Sequence, residues 1–222
     1  MRSYIFGHSA NNIPILAHRF GGSGPEVLLL GGVHGDELEG VEAATALLGR
    51  WINSFPFRLR LTLVPIFNPD GLIRANRLNG NGVDLNRNMA THDWTAEIAN
   101  PRYNPGPSAD SEPETQALVQ WLASNKPVFI LSLHSWKPML NVNGDCLREA
   151  QAISGVTGYT IHDSIGYPTP GCLGTYCGLE REIPTLTYEI ERGLKTADIL
   201  RIHVPAIEEA LKATEANRRK VL

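Results

Sequence analysis

The chain has 222 residues, 42% of them hydrophobic, and a formal net charge of -3, values typical of a single globular domain covering residues 1–222. Positive and negative charges are mixed along the chain, so the sequence offers no basic surface for a nucleic-acid partner. No apolar run is long enough to cross a bilayer, and residues 1–10 lack the apolar core of a secretory signal, so we expect no membrane partner.

Apolar runs typical of strands alternate with amphipathic stretches, a pattern that predicts an α/β fold. A capping-box pattern at Ser111–Glu114 predicts the start of one helix, and Pro205 must kink or divide another. The predicted elements are, in chain order, strand 27–32, helix 37–51, strand 59–66, helix 111–121, strand 128–133, strand 184–190 and helix 197–213.

Three chemically active side chains stand at the ends of predicted strands. His34 and His134 each follow a strand, and Glu189 ends another. Ligands of open α/β sheets bind beyond the carboxyl ends of the strands. We therefore expect these three side chains to converge on one site.

His34 and Glu37 form an HxxE pair at a strand-to-helix turn, where an imidazole and a carboxylate can meet one ion. Catalytic zinc commonly takes three His or Glu ligands and keeps one position for water. His134 is the natural third ligand, and Asp36 in the same turn is an alternative. The pattern predicts a single zinc ion held by His34, Glu37 and His134.

The segment 67–110 is rich in Asn, Gly, Pro and Arg and has little periodicity. A segment of this length without regular structure in a compact domain is usually functional. Its arginines include Arg74, Arg77 and Arg87, and the guanidinium fork suits carboxylates and oxyanions.

Taken together, the motifs resemble those of the zinc carboxypeptidase family. The matching sequences are GGVHGDE, NPDG, NGVDLNRN, LSLHS and TYEIE, in the family's order over roughly residues 27–193. Within the family, NGNGVDLNRN, SEPETQAL and SIGYPTPGCLGTYC are most similar to bacterial murein peptide amidases. The resemblance implies a single domain with a mixed β-sheet flanked by helices. It also implies hydrolysis of the amide bond between γ-D-glutamate and meso-diaminopimelate in murein peptides.

The resemblance also implies a role for each candidate in catalysis. His34, Glu37 and His134 would hold one zinc ion. Glu189 would be the general base, taking a proton from the attacking water and passing it to the leaving amine. Arg77 would polarise the scissile carbonyl.

Substrate-binding roles follow in the same way. Asn86 and Arg87 would hold the free carboxylate of the terminal residue, and Tyr167 stands near the position of the mobile tyrosine of larger carboxypeptidases. Two alternatives stay open: Arg74 for the carbonyl contact, and Tyr176 for the tyrosine.

Other activities of the same motif set also stay open. They are an LD-carboxypeptidase that removes D-Ala, a zinc deacylase of N-acyl amino acids of the aspartoacylase type, and an inactive peptide-binding module. The NPDG and NGVDLNRN sequences favour a peptidase, and the complete set of ligands, base and arginines favours an active enzyme.

The exact substrate is less constrained than the metal site. Ser135 and Trp136 follow His134 where the nearest murein enzymes are expected to carry an acidic residue and Pro. The far end of diaminopimelate needs polar groups in the pocket, for which Glu191 and Asp163 are candidates.

The cysteines bear on the compartment. Cys146, Cys172 and Cys177 are an odd and sparse set without paired metal-ligand spacing, so we expect free thiols. Free thiols and the absence of a signal together predict a cytoplasmic enzyme of murein recycling, whose partner is a small peptide substrate.

Overall fold

The structure is a computed structural model that describes residues 1–98 and 100–218. Its centre is one eight-stranded mixed sheet with the order β1-β2-β4-β3-β5-β8-β6-β7. The strands are β1 Arg2–His8, β2 Pro14–Phe20, β3 Glu26–Leu30, β4 Arg60–Val64, β5 Phe129–Trp136, β6 Met139–Asn143, β7 Ile161–His162 and β8 Thr185–Glu191.

Helices cover both faces of the sheet, and the mixed sheet with flanking helices confirms the predicted fold class. They are α1 Leu38–Trp51, α2 Pro69–Ile73, α3 Pro113–Asn125, α4 Leu147–Thr157, α5 Thr196–Asp198 and α6 Val204–Arg218. Short 3-10 turns span Leu85–Arg87 and Pro101–Tyr103, and π-helical turns span Gly174–Leu179 and Ile199–His203.

The four central strands β4, β3, β5 and β8 run parallel. Every residue of β3 is buried, as expected for a strand covered on both faces. Helices α1, α4 and α6 pack on one face and α3 on the other, giving two hydrophobic clusters. The carboxyl ends of β3, β5 and β8 therefore meet at one edge of a well-packed sheet.

The helix predicted at 111–121 exists as α3, but its predicted capping box does not form. Glu112 occupies the N-cap position instead of Ser111, and no side chain caps the helix. Glu114 is fully buried, and its carboxylate accepts hydrogen bonds from the Ala10 N–H and from Asn79. These tertiary contacts hold the Glu114 side chain away from the helix start.

The closing helical segment contains a π-helical turn just before Pro205. This turn, Ile199–His203, joins α5 to α6 without a break, so Pro205 lies in one continuous helical run and does not end it. The three cysteines are buried and form no disulfide, as predicted. Among the described residues, no helix has the length and apolar character that a membrane crossing requires.

His203 gives the fold a sensitivity to acid. It is 1% exposed, packs against the rings of Tyr159 and Tyr188, and accepts a hydrogen bond from the Tyr188 hydroxyl. Burial lowers the pKa of His203 to about 4, against a smaller opposing effect of Asp198. The fold therefore stabilises the neutral imidazole.

We predict that this histidine weakens the fold as pH falls from about 6.5 to about 4, because only the unfolded chain binds the extra proton in that range. Above about pH 6.5 the neutral His203 contributes its full stabilisation to the fold, and below about pH 4 this contribution is fully lost. His203→Gln should reduce the difference in free energy of unfolding between pH 7.5 and pH 4.5 by about 2 kcal/mol. Urea unfolding at the two pH values measures it, with His162→Gln on the surface as the control. An unchanged pH dependence in His203→Gln would contradict the prediction.

Candidate active site

The predicted convergence of His34, His134 and Glu189 is present. His34 follows β3, while His134 lies near the end of β5 directly opposite Glu189 on β8. Glu37 is the N-cap residue of α1, one turn after His34. Adjacent parallel strands thus bring together residues that are up to 155 positions apart in the sequence.

The three predicted metal ligands face one another closely. The Nδ1 atoms of His34 and His134 are 3.1 Å apart, and each lies 2.9 Å from one carboxylate oxygen of Glu37. All three side chains are buried. The structure therefore contains a buried two-histidine, one-carboxylate cluster.

The geometry and charge of this cluster suit zinc. Ligand atoms about 2.0 Å from a tetrahedral ion lie roughly 3.3 Å apart, close to the spacing seen here. Burial tends to raise the pKa of Glu37, but His34 and His134 together hold it well below its usual range. An ionised carboxylate and two ring nitrogens that face one another make a ready site for a cation. Two histidines and one glutamate are a common ligand set of catalytic zinc.

Outer hydrogen bonds fix both imidazoles. The Nε2 atom of His34 lies 3.0 Å from Asp84, and Nε2 of His134 lies 3.1 Å from the Ser132 hydroxyl. Asp84 is fully buried; burial tends to raise its pKa, but His34 and Arg77 depress it. Asp84 lies within the NGVDLNRN motif, but no local pattern in the sequence pointed to this role. Such outer partners orient metal-binding rings and tune their basicity.

Asp84 also anchors Arg77. The Nε of Arg77 donates to Asp84 at 2.8 Å, and Nη1 donates to Glu37 at 3.3 Å. Arg74, the alternative, donates instead to the backbone carbonyls of Asp70 and Asn79 and does not line the pocket. Of the two arginines, Arg77 is the one beside the ligand cluster.

Glu189 faces the same cluster. It is 8% exposed, and its Oε2 atom has no hydrogen-bond partner in the part of the chain that the structure describes. Burial raises the pKa of Glu189 to about 7, against the opposing effects of His134 and Arg77. A cation held by the cluster lowers this pKa again. Such a cation therefore favours the ionised carboxylate, the form that can accept a proton.

Asn86 and Arg87 line the same pocket. The Asn86 side-chain oxygen accepts a hydrogen bond from the Leu173 N–H at 2.9 Å, which leaves its NH2 group for other contacts. The Arg87 guanidinium donates to the Asn86 carbonyl at 2.6 Å. The Tyr103 ring lies 5.2 Å from both the Arg77 and the Arg87 guanidinium, a contact that the sequence gave no reason to expect.

Tyr167 lies at the mouth of the pocket. It is 37% exposed, and its ring contacts those of Tyr103 and Trp136. Tyr176, the alternative, is buried against Arg181 and does not line the pocket. The structure therefore places Tyr167, and not Tyr176, at the site.

Asp36, the alternative ligand, lies outside the cluster. Its carboxylate accepts hydrogen bonds from Arg102 and Arg192 at the rim of the pocket.

The pocket has a volume of about 220 Å³. A single water needs roughly 15 Å³ by the same measure, so the pocket has room for the side chain of a substrate.

Comparison with known proteins agrees with this geometry. The sequence profile described as zinc carboxypeptidase matches residues 1–170. The chain is 31% identical over 176 residues to murein peptide amidase A of Vibrio campbellii, covering 73% of this chain and 68% of that protein. It is 34% identical over 166 residues to murein peptide amidase A of Escherichia coli K12, covering 68% of this chain and 65% of that protein.

A solved structure shows the same fold. The crystal structure of the murein-tripeptide amidase MpaA from Escherichia coli O157 superposes with a TM-score of 0.80 at 25% identity, covering 96% of this chain and 92% of that one. The match of the family profile to most of the chain, together with these relatives, decides the assignment. The chain belongs to the zinc carboxypeptidase family of hydrolases.

Proposed function

We propose that the chain hydrolyses the amide bond between γ-D-glutamate and meso-diaminopimelate in murein peptides, using one zinc ion. The observation that carries the proposal is the convergence, in one pocket, of a buried His-Glu-His cluster, a buried carboxylate and a pair of groups suited to a terminal carboxylate. The similarity to two murein peptide amidases supports the choice of substrate. We propose a cytoplasmic location, where such an enzyme would act on small murein peptides.

The residues His34, Glu37 and His134 would hold the ion. When bound, zinc lowers the pKa of water to about 7 and polarises a carbonyl group. Ser132 and Asp84 would keep the two imidazoles in the orientation that presents Nδ1 to the ion.

Glu189 would act as the general base and then as the general acid. Its carboxylate accepts a proton from the attacking water and later donates it to the amine of diaminopimelate as the C–N bond breaks. The unpartnered Oε2 atom of Glu189 is the oxygen available for this exchange. One water is consumed, and the products are a carboxylate and an amine.

Arg77 would stabilise the negative charge that develops on the scissile carbonyl oxygen. Its contacts with Asp84 and Glu37 fix the guanidinium before substrate binds. Such preorganised donors typically contribute about 100- to 1,000-fold to the rate.

Asn86 and Arg87 would bind the free carboxylate of the terminal residue, so that cleavage occurs one bond from the end of the chain. The position of Tyr167 at the mouth would let its ring cover the bound residue and exclude water.

We predict that Glu189→Gln keeps zinc but loses at least about 1,000-fold in kcat, because the amide cannot accept a proton. The assay uses zinc-loaded protein and L-Ala-γ-D-Glu-meso-diaminopimelate, with products followed by mass spectrometry and zinc measured in the same samples.

Release of free diaminopimelate by the wild type, but not by zinc-loaded Glu189→Gln, is the expected result. Substantial turnover by the variant would overturn the role of Glu189. A wild type that leaves this tripeptide intact, while releasing D-Ala from a tetrapeptide or cleaving an N-acyl amino acid, would overturn the proposed bond.

A second prediction concerns the outer shell of the metal site. Asp84→Asn keeps the size of the side chain but removes the charge that faces His34 and Arg77, so zinc affinity should fall by about 10- to 100-fold. Competition with a chromophoric chelator measures this affinity directly. Asp163→Asn makes the same charge change on an exposed residue and should leave the affinity as in the wild type. Equal affinities in all three proteins would show that Asp84 does not support the site.

A further inference from the structure

Polar side chains on β6 and β8 lie next to the proposed catalytic residue Glu189, on the same face of the sheet. On β8, Thr187 is two residues before Glu189 and so faces the same side. Strand β6 runs antiparallel to β8 and places Asn141 directly opposite Thr187. Asn143, two residues further along β6, continues this surface. Asn141, Asn143 and Thr187 all line the pocket, and we call these three residues the pocket floor.

The pocket floor is polar and mostly without protein partners, and its two asparagines are buried while Thr187 is partly exposed. Asn141 and Asn143 are 8% and 7% exposed. Asn141 makes one long hydrogen bond, 3.4 Å to the His162 carbonyl. Within residues 1–98 and 100–218, the side chains of Asn143 and Thr187 make no hydrogen bond. The polar atoms of these three side chains are not enclosed by protein but open to the pocket, so they are available to a ligand.

Direct contacts connect the pocket floor to the proposed carboxylate site. The Asn86 side chain accepts a hydrogen bond from the Leu173 N–H, and Gly174 is the residue that comes directly after Leu173 in the chain. A Cβ atom at Gly174 would lie only 2.3 Å from the Asn143 side-chain oxygen, so the backbone of Gly174 packs against that amide. A terminal residue whose carboxylate sits on Asn86 and Arg87 therefore has the pocket floor within reach of its side chain.

The charged residues that line the pocket lie outside the pocket floor. The charged lining residues belong to the ligand cluster, its two arginines, Glu189 and the rim. The pocket floor itself contains only amides and a hydroxyl. Glu191 and Asp163, the candidates that the sequence suggested for the far end of diaminopimelate, are both exposed and do not line the pocket. These two candidates therefore lie outside the pocket, while the expectation of polar groups in the pocket agrees with the pocket floor.

We propose that the pocket floor binds the far ammonium and carboxylate groups of meso-diaminopimelate and selects for a side chain that ends in a zwitterion. This inference rests on the proposed function. An amide offers both donors and an acceptor, so it can serve a carboxylate and an ammonium together. A zwitterion has no net charge and needs no counter-charge from the protein. A lysine side chain would bring an unpaired ammonium to the same place, and an apolar side chain would leave the amides unsatisfied.

The test compares three peptides of the form L-Ala-γ-D-Glu-X, where X is meso-diaminopimelate, L-lysine or L-norleucine. For the wild type we expect kcat/KM to be at least about 100-fold higher for diaminopimelate than for either other peptide. Asn143→Leu should lower kcat/KM for diaminopimelate by about 10- to 100-fold, mainly through KM, and should not lower that for norleucine. Asn125→Leu, the same change at the end of α3 away from the pocket, is the control.

Two further variants keep the test independent of misfolding. Gly174→Ala leaves Asn143 in the protein but forces its amide to move, and the amide is the flexible end of the side chain, so the fold should survive while selectivity falls. Asn143→Asp adds the missing counter-charge and should raise kcat/KM for the lysine peptide. Equal wild-type kcat/KM for the diaminopimelate and lysine peptides would overturn the proposal, as would unchanged selectivity in both Asn143→Leu and Gly174→Ala.

Calorimetry with the free amino acids separates this inference from the proposed function. Zinc-loaded protein should bind meso-diaminopimelate more tightly than lysine or norleucine, and Asn143→Leu should remove the difference. If none of the three peptides is cleaved but this preference holds, the proposed function fails and the pocket floor stands. If binding shows no preference, the inference fails whatever the turnover.

Discussion

The buried ionic network around Glu37 is the constraint on which the rest of the site depends. Its carboxylate contacts both imidazoles and the Arg77 guanidinium, and it accepts the Ser135 backbone N–H. Burying ionised groups is expensive unless they are paired and hydrogen-bonded. Among the buried groups, Glu37 and Asp84 bring two negative charges and Arg77 one positive charge, an excess of one negative charge that faces the partly exposed Arg192, 3.6 Å from Glu37. In the protein alone, Glu37 and Asp84 raise the pKa of His34 in spite of its burial and of Arg77, so a proton can supply the missing charge.

A divalent ion in the same place would reverse the sign of the network. Two added positive charges turn the excess of one negative charge among Glu37, Asp84 and Arg77 into an excess of one positive charge, which the ionised Glu189 beside them balances until it accepts a proton. That excess would favour the carboxylate of a substrate and the oxyanion formed during hydrolysis, in a site where few water molecules screen the charges. Arg87 adds a further positive charge beside Asn86, at the place where we propose that the terminal carboxylate binds. The same network would therefore hold the ion, orient Arg77 and attract an anionic peptide.

Sheet topology explains how distant segments build this network. Three neighbouring parallel strands deliver His34, His134 and Glu189 to one edge. The segment 67–110 brings Arg77, Asp84 and Arg87 over that edge and is tied back to the loop after β7, because Met89 N–H donates to the Gly171 carbonyl. The antiparallel strand β6 then adds the pocket floor beside β8. The strands thus hold His134, Glu189 and the pocket floor, while the loop segment supplies Arg77, Asn86 and Arg87.

The sequence predicted the parts of the molecule that depend on local signals. Continuous apolar runs identified the central strands, and the positions of His34, His134 and Glu189 at strand ends predicted that these three side chains converge. The edge strands β1 and β7, their neighbours β2 and β6, and the helix α4 were missed, because none of them carries a long apolar run. Asn141 and Asn143 were missed for another reason: their place beside Thr187 follows from the pairing of β6 with β8, which no local pattern encodes. The capping box failed because tertiary partners took the Glu114 side chain.

Anomalous X-ray scattering at the zinc edge from crystals of zinc-loaded protein tests the central claim most directly. We expect one strong peak about 2.0–2.2 Å from Nδ1 of His34, Nδ1 of His134 and the Glu37 carboxylate. Glu189 should lie beside the ion without ligating it, and Asp36 should remain paired with the rim arginines. A peak held by other side chains, or zinc-loaded crystals with no peak between these three residues, would contradict the site described here.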